Sequence, residues 1–150
     1  MKRKMQILII AIMGFLPSFS SCSRMIDHEE IKSEIKQVER NFQETVKSQG
    51  VAEGFYIFAA DDAVIKREND SLITGREAIK NYYLNPISNK AYAEWTPDYI
   101  DISDDATLAY TYGKYKWCFT DSSGKISNFQ GVFHTVWKKM KDGSWKYVWD

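Results

Sequence analysis

Apolar and polar positions follow two different periods along this chain. Ile31, Ile35, Val38, Phe42 and Val46 recur at spacings of 4, 3, 4 and 4, with Lys, Glu, Gln and Arg between them, which is the stripe of one helical face. Asp27 with Glu30 three residues on has the spacing of a capping box, and Gly50 has the character of a stop, so the pattern predicts a helix from about residue 28 to Gly50. A shorter helix fits Val51 to about Ala59, with Val51, Phe55 and Phe58 on one face and Asp61-Asp62 as breakers. Ala63 to Lys66 is β-like, Glu68 to Ser71 is a turn cluster, and Leu72-Ile73 is a short strand. Thr74 with Glu77 forms a second capping-box pattern, opening a helix through Ala78, Ile79, Tyr82 and Tyr83 that Asn85-Pro86 closes.

From Tyr92 the period becomes two. Strands are predicted over 92–102, 107–120, 125–139 and 144–149, separated by Asp104-Asp105, Asp121-Ser122-Ser123-Gly124 and Lys141-Asp142-Gly143. Helices first and antiparallel strands last define an α+β domain, and the chain contains no internal repeat.

The first residues follow neither period. Lys2, Arg3 and Lys4 precede an apolar run from Met5 to Leu16, and small residues from Ser18 to Ser21 lead to Cys22. This is the layout of a secretory signal over residues 1–21. The apolar run has 12 residues, short of the roughly 20 that a spanning helix needs. Phe19-Ser20-Ser21-Cys22 resembles the lipobox of bacterial lipoproteins, which implies acylation of Cys22, a tether over residues 22–28 and a folded domain over 29–150. The expected location is therefore the bacterial cell envelope, with the domain in the periplasm or at the cell surface; cleavage near Ser21 without a lipid is the alternative.

The chain's 150 residues, 44% hydrophobic and 15% aromatic, suit one globular domain beyond that leader. Its 20 basic and 20 acidic side chains balance, and removal of residues 1–21 takes away three positive charges and no acid. The remaining acidic excess offers no footprint for nucleic acid. With Cys22 acylated, Cys118 stands alone and forms no intrachain disulfide.

The order helix, helix, strand, helix and then a four-strand meander resembles the cone-shaped, cystatin-like α+β barrel of the nuclear-transport-factor-like superfamily, with N-terminal helices packed on a curved antiparallel sheet. Phe58-Ala59-Ala60-Asp61-Asp62-Ala63-Val64 resembles that superfamily's helix-end segment, and Thr74-Gly75-Arg76-Glu77-Ala78-Ile79 the start of its third helix. Ala109 to Gly113, Val136 to Lys139 and Asp142 to Lys146, with Asp150 at the end, are similar to the ketosteroid-isomerase-like and SnoaL-like domain family over about residues 30–150. The resemblance implies a cavity between helices and sheet that takes a small molecule. It also implies positions for isomerase groups: a general-base aspartate, a tyrosine on the first helix and a protonated acid on a late strand. Those positions fall at or near Arg67, at Phe42 or Gln43, and at His134 or Thr135, so ketosteroid isomerase chemistry is not expected.

His134 is the one histidine of the folded body and the candidate general base of an alternative, enzymatic reading. Alternation places it with Val132 and Val136 on one sheet face and Phe133, Thr135 and Trp137 on the other, without deciding which faces the cavity. Tyr56, Trp95, Tyr112, Trp117 and Thr135 are the candidate ligand-binding residues, because amphipathic rings line pockets and donate single hydrogen bonds. Alternation separates Tyr110 and Tyr112 from Tyr115 and Trp117 unless a bulge intervenes at Gly113. Asp61-Asp62 and Asp104-Asp105 are expected in turns and caps. No His or Cys pair stands at metal-ligand spacing, and no cofactor is expected. The expectation is a lipid-anchored domain that binds a small apolar or amphipathic ligand, with a homodimer or envelope-protein interaction through the outer sheet face as a further alternative.

Overall fold

The structure, a computed structural model, describes residues 27–85, 91–120 and 123–150. The expected signal segment, Cys22 and the tether up to residue 26 lie outside the described residues, as do Pro86 and the Asp121-Ser122 part of a predicted turn.

Helix α1 (His28–Gln49) starts where its cap is: the Asp27 carboxylate accepts from the backbone N–H groups of Glu29 and Glu30 at 3.0 and 3.2 Å. Its buried stripe contains Ile35, Phe42 and Val46, and also Glu39. Gly50, at φ 91°, ends it with its N–H on the Val46 carbonyl, and α2 (Val51–Phe58) follows at once. The two helices close onto each other at Gly54, where an added Cβ would lie 3.1 Å from Val46 Cα.

Two local expectations are corrected. Strand β1 (Ala59–Arg67) begins at the end of α2 and carries Asp61-Asp62 inside it rather than in a turn or cap. Its parallel pairing with β6 (Trp145–Trp149) shifts register between Ala59 and Val64, which are paired with Tyr147 and Trp149, and this bulged stretch lets two consecutive acids face solvent. Helix α3 (Arg76–Tyr83) has no side-chain cap from Thr74. Thr74 instead completes the short strand β2 (Ser71–Thr74) opposite Val64, and Gly75, at φ 90°, occupies the cap position with its N–H on the Ala63 carbonyl.

The later strands, β3 (Tyr92–Ile102), β4 (Leu108–Thr120), β5 (Ile126–Lys139) and β6, match the predicted spans to within one residue at each end. The meander is part of a larger mixed sheet of order β2-β1-β6-β5-β4-β3, in which β1 and β6 run parallel and every other neighbouring pair is antiparallel. The register irregularity near Gly113 belongs to β3, between Pro97 and Tyr99, so alternation along β4 is unbroken. Gly113 is required there, because a Cβ would come within 2.9 Å of the Asp98 backbone nitrogen.

The helices cover one face of this sheet. Phe42 is central to the core, with ring centroids of Phe55, Phe58 and Trp95 at 5.0, 5.0 and 4.9 Å and Tyr147 at 5.9 Å. Trp137 and Tyr147 are fully buried beneath α1 and α2, and the Tyr147 hydroxyl donates to the Phe55 carbonyl at 2.8 Å.

Candidate functional site

Beyond this core, the helices and the curved sheet line a partly open cavity of about 1020 Å³. Alternation along β4 and β5 directs Tyr115, Trp117, Phe119, Phe129, Phe133 and Thr135 to the same side as the buried Thr111 and Trp137, which settles the inner face. Trp117 lies parallel to Tyr83 of α3 at 6.2 Å and to Phe119 at 5.6 Å, so one wall is a stack of rings. Phe55 and Phe42 supply the wall on the helix side.

A polar corner interrupts these walls, next to Lys66 and Glu68 at the same side of the lining. Arg67, the last residue of β1, donates through Nε to the Tyr83 hydroxyl at 2.7 Å and through Nη2 to Asp150 Oδ1 at 2.7 Å. Its Nη1 donates to the main-chain oxygens of Lys66 and Asp150 at 2.7 and 3.3 Å. Thr135 Oγ1 donates to the other Asp150 oxygen at 2.9 Å. The β1 main chain fixes Asp150 here: Lys66 N–H bonds the Asp150 carbonyl and Asp150 N–H bonds that of Val64, at 2.9 and 3.1 Å. Burial lowers the affinity of Arg67 for its proton, but Tyr83 and Asp150 outweigh this and the guanidinium pKa is raised overall. Burial dominates at Tyr83, whose phenol is pushed well above its ordinary value and stays protonated at neutral pH. At or near the position the isomerase resemblance assigns to a base stands a permanent cation with no lone pair to accept a proton.

A second polar group supports the cavity from beneath. Glu39, 2% exposed, accepts from Thr111 Oγ1 at 2.6 Å, Trp137 Nε1 at 3.0 Å and Trp95 Nε1 at 2.8 Å. Burial raises its carboxyl pKa, and the three donated hydrogen bonds offset this only in part. The acid fixes the orientation of Trp95, a cavity wall residue.

Three of the sequence-nominated binding residues, Trp95, Trp117 and Thr135, meet in this cavity. Tyr56 does not. Its hydroxyl bonds Glu77 at 2.9 Å, and its ring lies under Arg76 and Lys80 on the α2–α3 surface, where Glu53 pairs with Lys80 at 2.7 Å. Tyr112 is on the opposite, outer sheet face, stacked on Tyr99 at 5.1 Å. His134 borders the cavity, but its imidazole is on that outer face, edge-on to Tyr110 at 5.9 Å, and it makes no hydrogen bond to a described residue. The candidate base is thereby separated from Arg67, Tyr83 and Asp150. These last two, with Glu39, were not nominated from sequence. Only Glu39 left a readable signal, a charge at the helical spacing of the apolar stripe between Ile35 and Phe42. Among the described residues no group of three or more His, Cys, Asp or Glu side chains is placed to hold a metal ion.

No protein-family model matches the chain, and no curated protein matches it. Solved structures do. A nuclear transport factor 2 (NTF2-like) superfamily protein from Salmonella enterica superposes with a TM-score of 0.68 at 12% identity, covering 81% of this chain and 88% of that one. A ketosteroid isomerase-like protein from Erwinia carotovora gives 0.63 at 13%, covering 77% and 90%. The association domain of C. elegans CaMKII gives 0.63 at 18%, covering 81% and 94%. At these identities the shared feature is the fold, an NTF2-like, cystatin-like α+β cone.

Proposed function

We propose that this chain is an exported, lipid-anchored binding domain that holds a small amphipathic molecule in its cone. The observation that carries the binding reading is the cavity of about 1020 Å³, walled largely by aromatic rings and furnished with a fixed polar corner. Apolar walls with a few fixed polar groups are what small-molecule sites consist of. Export and anchoring are supported by the basic triplet, the short apolar run and the lipobox-like Phe19-Ser20-Ser21-Cys22.

Native mass spectrometry of the full chain purified from a bacterial host tests the binding reading, together with uptake of the neutral dye Nile red. A reproducible small-molecule adduct, or saturable dye binding that Ser127→Trp removes by filling part of the lining, is the expected result. A clean apo mass with no dye uptake overturns it.

A second reading, pairing with another copy of this chain, has its own observation. The outer face of β3 to β5 exposes Tyr99, Tyr110 and Tyr112 beside His134, and Val132 there is 70% exposed. Such a ring cluster suits an interface. Sedimentation of wild type against Tyr112→Glu tests it: a dimer that the substitution dissociates supports pairing, and a monomer at high concentration excludes it.

A further inference from the structure

The hydrogen-bonding capacity of the polar corner is only partly used. Every N–H of Arg67 has a partner except one on Nη2. The Tyr83 hydroxyl accepts from Arg67 and donates to no described residue, although Tyr83 is only 4% exposed. That hydrogen is therefore available to a molecule in the cavity that Tyr83 lines. Asp150 takes one hydrogen bond on each carboxylate oxygen and retains lone pairs on both. The corner therefore offers unused donors beside an unused acceptor, at the edge of a stack of rings.

Charge narrows the choice further. The Arg67 and Asp150 side chains are 20% and 15% exposed and neutralise each other. An anion entering here meets the Asp150 carboxylate, and a cation meets the guanidinium, each in a poorly solvated place where an uncompensated charge is expensive. A neutral group faces neither repulsion.

We propose that the cavity selects an uncharged ring compound whose polar end both accepts and donates a hydrogen bond, a hydroxyl or an amide, with its oxygen on Tyr83 and Arg67 and its hydrogen on Asp150. The inference rests on the cone being a binding cavity and adds the charge and hydrogen-bonding class of its occupant. The ring body lies along Trp117 and Phe55, where flat apolar surface is exposed to it.

The test is a matched set of fluorescent probes on the full chain: 1-pyrenemethanol, pyrene, 1-pyrenecarboxylate and 1-pyrenemethylammonium, followed by energy transfer from tryptophan. The alcohol is expected to bind about tenfold more tightly than each of the others, the size of one or two net hydrogen bonds. Replacing the pair together, Arg67→Met with Asp150→Leu, avoids stranding one charge and is expected to abolish the alcohol's advantage over pyrene. Equal binding of all four probes by the wild type overturns the polar selection and leaves the cavity reading intact. Preference for the carboxylate or the ammonium overturns the neutral class. No binding of any probe by a chain that takes up Nile red overturns the ring-compound class and leaves the cavity reading intact, whereas failure of Nile red and of all four probes overturns both.

Discussion

Glu39 shows how a single buried side chain couples helix to sheet. One carboxylate from α1 accepts from two tryptophans and a threonine on three different strands, so its amide analogue is not an equivalent. In Glu39→Gln the NH₂ group faces a donor, leaving a buried N–H or O–H without an acceptor, and a loss of about 1–3 kcal/mol in urea unfolding is expected. The pH dependence follows from the raised native pKa. The unfolded carboxyl titrates near 4.5, and the folded protein holds this proton more tightly. Stability from this group is full below the unfolded pKa and is lost as pH rises through the folded one. The wild type is therefore expected to gain stability relative to Glu39→Gln as pH is lowered from 7 toward 5, measured by unfolding midpoints at each pH. The Arg67–Asp150 pair obeys a different rule, since removing one partner strands a charge. Arg67→Met alone is expected to cost about 3 kcal/mol by the same measurement, more than the double replacement.

Between elements, the decisive contacts are those where two backbones come close. Gly54 brings α2 against Val46 of α1, and Gly113 brings β4 against the irregularity of β3. Gly54→Ala places a methyl into the Val46 side chain and backbone, where neither helix can yield alone, and a loss of about 1–3 kcal/mol in thermal or urea unfolding is expected. The β1–β6 bulge works the other way, relaxing the alternation rule so that Asp61 and Asp62 both reach solvent and Asp61 pairs with Arg76 of α3 at 3.2 Å. That local departure from period two is why the acids read as a break in the sequence. Thr74 misled because α3 starts one residue later than the capping-box spacing requires: Thr74, paired with Val64 in β2, precedes the cap position, which Gly75 occupies.

At the scale of the whole molecule, β6 lies between β1 and β5, so the polar corner joins the end of β1 to the residue after β6, which are far apart in the chain. Arg67 and Asp150 are 83 positions apart in the chain. A ligand that engages them clamps β1, β5 and the residue after β6 together, and binding to the folded state alone raises stability by mass action, about 2.7 kcal/mol at a hundredfold excess over Kd. A rise in the thermal midpoint with 1-pyrenemethanol that is absent in Ser127→Trp is the expected outcome. Anchoring is tested at the same scale by metabolic labelling with a fatty-acid analogue: label is expected on the wild-type chain and lost in Cys22→Ser.

Period and punctuation along the chain were enough for the helices, the four strands from Tyr92 onward and the α+β class, because each depends on neighbours a few residues away. The capped start at Asp27, the stop at Gly50 and the alternation from Tyr92 onward are local facts. Trp95, Trp117 and Thr135 were legible as cavity residues because amphipathic chemistry is a property of the side chain itself. Which face of the sheet turns inward was not legible, since alternation is symmetric until helices cover one side. That asymmetry put Tyr112 and the His134 ring outside, and brought Tyr83 and Asp150 to Arg67. The partners of a buried charge are chosen by strand order and register, so the polar corner and the Glu39 cluster exist only once the chain has closed on itself.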